Sequence, residues 1–185
     1  MQLVWPSAEH LPSYIAALQS GWSADNVRGA VAAAEELERI AADPVAFLAG
    51  MIDREAQGGP VTLPDGSQVP RIPGVRRWMW DGEFCGVIGL RWQPGTEALP
   101  PHCLGHVGYA VIPAKRGRGY AAQALHGTLP LARTEGLRYI EITTDPDNLP
   151  SQKVITANGG VLVEQFNKGE AYGHKAGLRF RIDLG

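Results

Sequence analysis

The stretch Gly105 to Ala122, GHVGYAVIPAKRGRGYAA, decides the reading of this chain. Its first half is apolar and β-rich and ends at Pro113. A basic turn follows, Lys115-Arg116-Gly117-Arg118-Gly119, and helical character begins directly after it. Glycine tolerates backbone angles that other residues avoid and lets a ligand approach the main chain closely. The first turn of a helix carries N–H groups with no internal partner and a partial positive charge. A strand, a glycine turn and a helix in succession therefore form a cradle for an anion such as a pyrophosphate. Arg116 and Arg118 add positive charge around it. A solvated basic loop is the plainer reading of two arginines, but strand end, two glycines and helix start coincide here, which favours the anion site.

Working outward, His106 to Ile112 is expected to be the strand and Gly119 to Thr134 the helix, with Gly127 and Pro130 predicting a kink or an early end to it. Arg138 to Thr144 reads as a strand and Pro150 to Asn158 as a short helix stopped by Gly159-Gly160. Val161 to Phe166 and Leu178 to Leu184 close the chain as strands. Upstream, Val75 to Trp80 and Phe84 to Trp92 flank Asp81-Gly82, a strong hairpin signal. Before them, Gln57 to Gly74 is a Gly- and Pro-rich excursion with a short hairpin about Asp65-Gly66. Leu3 to Trp5 suits a first strand. Helices are expected at Ala8 to Gln19, capped by Ser7, from a cap at Asp25 or Asn26 to Ile40, and at Val45 to Glu55. The fold class is thus α+β: a mixed, mostly antiparallel sheet of six to seven strands, one parallel strand–helix–strand crossover, and helices on both faces. One domain spans 1–185, with a helical part and loop at 1–74, a core at 75–163 and a terminal strand pair at 164–185.

Composition sets the outer bounds. A chain of 185 residues with 44% apolar and 19% charged residues is an ordinary globular one. Net charge is −2 with no basic tract, which argues against nucleic acid or a membrane surface as partner. The segment from Met1 to Trp22 has no continuous apolar run, and Cys85 and Cys103 read as free thiols, so a cytoplasmic location is expected. His102-Cys103-x-x-His106 follows two prolines in extended chain and lacks an evident fourth ligand, so no metal is assigned.

Gly117 to Ala122 also fits the relaxed dinucleotide fingerprint G-x-G-x-x-A. Four residues separate strand from first glycine, however, an arginine opens the turn, and hairpins replace repeating βαβ units. The phosphate-loop pattern G-x-x-x-x-G-K-S/T is absent. The segment instead resembles the acetyl-CoA motif of the GNAT superfamily, R/Q-x-x-G-x-G/A, in Arg116-Gly117-Arg118-Gly119-Tyr120-Ala121. It is preceded by Val111-Ile112-Pro113 and followed by Asn148 and Ser151. The likeness runs from about Trp78 to Val163, and the first seventy residues resemble the family only in being helical.

That resemblance implies an N-acetyltransferase carrying an acetyl group from acetyl-CoA to a primary amine, on a small molecule or a peptide, with a homodimer suggested by analogy. It implies that the main chain of Tyr109, Ala110 and Val111 pairs with the pantetheine arm. Main-chain amides from Arg116 through Gly117, Arg118, Gly119 and Tyr120 to Ala121 would hold the pyrophosphate, and Asn148 would touch the arm or cap the helix that follows it. The tyrosine that often protonates the departing thiolate is replaced by Ile155, which leaves Tyr109, Tyr172, solvent or the amine's own proton as substitutes and opens a second reading, a non-catalytic acyl-CoA-binding or regulatory module. For the base, His106 and Glu141 are the candidates; a buried structural histidine and a partner for an arginine are their ordinary alternatives. Trp78, Trp80 and Trp92 are core residues or an aromatic wall for the acceptor.

Overall fold

Alternation along the Gly74–Arg91 hairpin sets the layers. Side chains of a strand point to opposite faces in turn, and here both faces are apolar. Trp78 and its cross-strand partner Val87 face one way, together with Phe84, while Val75, Met79, Cys85, Ile88 and Leu90 belong to the cluster on the other. Both faces therefore need a cover, and the helices supply it.

A computed structural model describes all 185 residues. The chain runs through β1 (Gln2–Val4), α1 (Leu11–Gln19), α2 (Ala30–Ala42), α3 (Pro44–Ala49), β2 (Ile52–Asp53), β3 (Val61–Thr62), β4 (Gln68–Val69) and β5 (Gly74–Trp80). It continues through β6 (Phe84–Arg91), β7 (Val107–Val111), α4 (Tyr120–Thr134), β8 (Tyr139–Thr144), α5 (Leu149–Thr156), β9 (Val161–Asn167) and β10 (Ala176–Asp183). On one face, Leu11, Tyr14 and Leu18 of α1, Ala33 and Ile40 of α2 and Phe47 of α3 pack on Trp78, Phe84 and Val87. Tyr14 stacks on Trp78 with ring centroids 4.6 Å apart, an arrangement worth about 0.5–1.5 kcal/mol beyond area burial. Trp78 is thus a core residue, and Trp92 is buried in the opposite cluster. On that side Ala124, Leu125, Leu129 and Ala132 of α4 cover Met79, Ile88, Ile140 and Ile142.

The strands form two main ladders rather than one sheet. The first has the order β1-β5-β6-β7 with β2 on β5, the second is β8-β10-β9, and β3 with β4 makes the small hairpin about Asp65-Gly66. Every strand pairing is antiparallel. The strand–helix–strand unit β7–α4–β8 therefore joins the two ladders and does not place neighbours within one. The two ladders meet at their base, where His106 N–H donates to Glu141 C=O at 2.7 Å. A Cβ at Gly105 would stand 3.0 Å from the Glu141 carbonyl oxygen and 3.3 Å from Ile142 Cα, so only glycine allows this approach without a shift.

Several boundaries differ from expectation for local reasons. Helix α1 starts at Leu11, because Ser7 accepts through its carbonyl from Leu11 N–H and closes a turn first. Helix α2 starts at Ala30, because the Asp25 carboxylate accepts from the Val27 and Arg28 amides to form its own turn. Helix α3 ends at Ala49, since Ile52–Asp53 pairs with β5 instead. Helix α4 runs unbroken to Thr134 through the exposed Pro130, because Leu125, Thr128, Leu129 and Ala132 are buried on both sides of it. No helix is long and apolar enough to cross a membrane.

The base contact between the ladders yields a prediction. Gly105→Ala should destabilise the protein by about 1–3 kcal/mol, the usual range for overpacking. It would appear as a lowered urea midpoint at unchanged m-value.

Candidate active site

Beyond the base contact β7 and β8 do not pair, and a cleft opens between and beside them. It has a volume of about 1940 Å³ and is lined by β7, the basic turn, the start of α4, the start of α5 and, at its other end, α2, β6 and the turn holding Tyr172. Ladder bonds at the two ends of β7, from Arg91 N–H to His106 C=O and from Ile112 N–H to Cys85 C=O, fix which residues bond β6. These are the even-numbered ones, so the main chain of Ala110, expected to pair with a pantetheine arm, is instead taken up by Val87 of β6. The main-chain N–H and C=O groups of Tyr109 and Val111 consequently face away from β6, toward β8. The Val111 carbonyl accepts from Arg116 Nε at 3.1 Å.

The turn after β7 is built for main-chain exposure. Pro113–Lys115 forms one 3-10 turn, and Gly117 and Gly119 then adopt φ of 76° and 74°. That left-handed region costs a side-chain-bearing residue about 1–2 kcal/mol. Gly119 is the N-cap of α4, and its carbonyl accepts the first helical bond from Gln123 N–H. From Gly117 to Ala122, six consecutive N–H groups have no partner inside the protein. They sit where a 15-residue helix begins, so the dipole adds to their donor field.

Lys115 does not join that field. Its ammonium donates to both carboxylate oxygens of Asp81, at 2.9 and 3.0 Å, and pairs with Glu83 at 2.7 Å. Tyr120 O–H donates to the same Asp81 carboxylate at 2.7 Å. Hydrogen bonds from Tyr120 and Lys115 hold the Asp81 carboxyl far below the usual carboxylate range. The β5–β6 turn thereby grips both ends of the basic turn. The sequence signal for this was an acidic residue in a hairpin turn, which by itself points to turn formation and nothing more.

Of the residues proposed for the cofactor, Tyr109, Ala110, Val111, Arg116, Gly117, Gly119, Tyr120, Ala121, Asn148 and Ser151 line the one cleft. Arg118 does not line it and donates to Ala114 C=O at 3.4 Å. Asn148 caps α5, its side-chain oxygen accepting from Ser151 N–H at 3.1 Å. The Tyr109 hydroxyl and Ser151 Oγ lie 2.7 Å apart across the cleft. Burial raises the Tyr109 pKa against the lowering effect of Ser151, so the hydroxyl keeps its proton.

The two residues proposed as bases lie outside the cleft. His106 is fully buried, and its Nδ1 accepts from Glu141 N–H at 2.9 Å. Burial lowers its pKa, so the ring is neutral with its proton on Nε2, which has no hydrogen-bond partner. Glu141 accepts from Arg181 at 2.7 Å and from Arg179 at 3.0 Å. Burial raises its pKa, but those two arginines outweigh that and keep it ionised. His106 therefore stitches the two ladders and Glu141 anchors an ion-pair cluster on β10. Both side chains suit proton transfer by type, and residue type alone cannot say which way a side chain points.

A family model described as an acetyltransferase (GNAT) domain matches residues 69–161. No curated protein matches the chain. Among solved structures, the microcin C7 self-immunity acetyltransferase MccE, crystallised with acetyl-CoA and AMP, is 12% identical with a TM-score of 0.63, covering 98% of this chain and 91% of that one. RimL, a ribosomal-protein α-N-acetyltransferase in complex with coenzyme A, is 14% identical with a TM-score of 0.59, covering 98% and 92%. A putative ribosomal-protein-serine acetyltransferase from Vibrio cholerae is 15% identical with a TM-score of 0.58, covering 98% and 92%. At these identities the likeness is one of fold.

The Asp81 network gives a pH-dependent prediction. Because the folded pKa of Asp81 is depressed, its contribution to stability is fully present above the ordinary value of 3.8 and is lost as pH falls through the lower folded value. The gap in urea midpoint between wild type and Asp81→Asn should therefore be constant from pH 7 to 5 and shrink below about pH 4.

Proposed function

The chain belongs to the GNAT acetyltransferase family, and from that premise we propose that it moves an acetyl group from acetyl-CoA to a primary amine by direct attack on the thioester. The chain acts as one N-acetyltransferase domain. The observation that carries this reading is the row of six unpartnered N–H groups from Gly117 to Ala122 at the head of α4. Such a row is an anion cradle, and a CoA thioester brings a diphosphate to fill it. Arg116 and Lys153, which line the same end of the cleft and pair with no carboxylate, add positive charge there. The pantetheine arm lies along β7, where the outward-facing main chain of Tyr109 and Val111 takes the place of a paired strand. That geometry suits the amide groups of the arm, and it accords with MccE having been crystallised with acetyl-CoA and RimL with coenzyme A.

The chemistry is then short. A neutral amine nitrogen attacks the thioester carbonyl carbon, and the oxygen takes negative charge. A main-chain N–H of β7 aimed at that oxygen is worth roughly 3 kcal/mol. The C–S bond breaks, the new amide nitrogen loses its extra proton, and the CoA thiolate gains one. We assign the supply of that last proton to Tyr109, a protonated hydroxyl on the strand that carries the arm, held by Ser151. His106 and Glu141 are assigned to the fold.

Acetyl-CoA with an amine panel, followed by release of free thiol, tests the reading. Turnover above the protein-free rate supports it, and tight binding without turnover would favour a silent acyl-CoA-binding module instead. Gly119→Val, a β-branched residue forced to φ near 74°, should weaken acetyl-CoA binding at least about 10-fold by calorimetry. Tyr109→Phe should lower kcat about 10- to 100-fold with little change in the KM for acetyl-CoA. His106→Ala should cost about 1–3 kcal/mol of stability, from a buried amide left unpaired, and leave the pH–rate profile unmoved.

A further inference from the structure

The end of the cleft away from the phosphate cradle has a floor of bare backbone. Arg76, Gly89 and Gly108 lie side by side on β5, β6 and β7, and Arg91 follows Gly89 on the same face two residues on. A Cβ at Gly108 would meet Arg91 Nη2 at 3.1 Å, and one at Gly89 would meet Arg76 Cγ at 3.6 Å. The side chains of Arg91 and Arg76 therefore border a trough that the two glycines keep open. His102, Cys103 and Tyr172 line the cleft beside it, with Tyr172 O–H donating to His102 C=O at 3.2 Å. Arg91 stands close enough to Cys103 and Tyr172 to oppose the upward push of burial on both.

Charge pairing singles out Arg91. Among the acids lining this end, Asp25 and Glu35 pair with Arg28, Asp53 with Arg71, and Glu36 with Arg39 and Arg76. Glu38 is exposed. Arg91 has no carboxylate within 4.0 Å, although it lines the cleft and its guanidinium reaches over the strand that leads to Tyr109. A guanidinium held above a side-chain-free floor, beside hydroxyl and thiol groups, has the geometry for a planar or tetrahedral oxyanion.

We propose that Arg91 is a specificity-determining residue, and that the acceptor is an amine carrying a carboxylate or a phosphate which Arg91 grips while the amine faces the thioester. This rests on the acetyl-transfer reading above and adds the chemical class of the acceptor. Arg76, with only a 3.6 Å contact to Glu36, is the second cation at hand for the same group. A cationic polyamine is disfavoured in this trough.

Matched amine pairs test it: β-alanine against propylamine, phosphoethanolamine against ethanolamine, and amino acids against their decarboxylated amines, each with saturating acetyl-CoA. The anion-bearing member should lead in kcat/KM by at least about 10-fold, mainly through KM. Carboxylate and phosphate arms are told apart by which pair shows the larger gap. Arg91→Gln should erase the preference, Arg91→Lys should restore part of it, and neither should change the KM for acetyl-CoA. Equal or better turnover of the neutral members overturns the inference while leaving acetyl transfer intact, as does an Arg91→Gln variant that slows both members alike. Acetyl-CoA binding without turnover of any amine overturns both.

Discussion

The site depends on two strands that touch at one point and then stay apart. At Gly105 and His106 the main chain of β7 lies against Glu141 and Ile142 of β8, and beyond that no ladder joins them. An unpaired strand edge is usually a liability, because its N–H and C=O groups invite pairing with another chain. Here the edge lies inside a cleft. His106 makes the arrangement durable. It bridges the ladders twice, through its own N–H to the Glu141 carbonyl and through Nδ1 from the Glu141 N–H. A neutral ring is required for the second bond, and burial secures that state. The parting of the strands and the buried histidine are one feature.

The cradle needs a second constraint, since a turn with two residues in the left-handed region and six unbonded N–H groups has little of its own to hold it. Asp81 supplies the missing tie from the β5–β6 turn, reaching Lys115 before the glycines and Tyr120 after them. These contacts are exposed, so each is worth little alone, but they act on one short segment from both sides. They also remove Lys115 from the cations available to a ligand. What remains is mostly backbone, a donor set that depends on the conformation of the two glycines and not on a charged side chain. On the acetyl-transfer reading proposed above, this lets a chain with a net charge of only −2 hold a diphosphate without a basic surface.

Those two constraints differ in how far the sequence shows them. The cradle was legible because its parts are consecutive: strand, proline, glycines and helix start fall within Gly105 to Ala122. The hairpin strands and the α+β class were legible from alternation and from Asp81-Gly82. The ionic tie was not, because Asp81 and Lys115 are separated by 34 residues and each has an ordinary local explanation. The same holds for Glu141, an acid in an otherwise apolar strand whose partner Arg181 lies opposite it in register 40 residues on. The breaks expected at Pro130 and the helix caps expected at Ser7 and Asp25 were decided by packing and by competing turns. Local propensity does not weigh these.

The two ends of the cleft are made of different materials. One end is built from main-chain groups, and what it asks of the sequence is glycine at two turn positions, a helix start and a strand left unpaired. Such demands can be met while nearly every side chain changes, so the fold persists at low identity. The other end takes Arg28 from the turn before α2, Glu36 from α2, Arg91 from β6, Cys103 from the loop before β7 and Tyr172 from the turn before β10. No short motif spans these positions, and each can change without disturbing the ladders. Likeness of fold therefore says nothing of the acceptor. The acceptor class proposed above rests on the charges that this particular chain leaves unmatched, and at that end of the cleft the unmatched cation is Arg91.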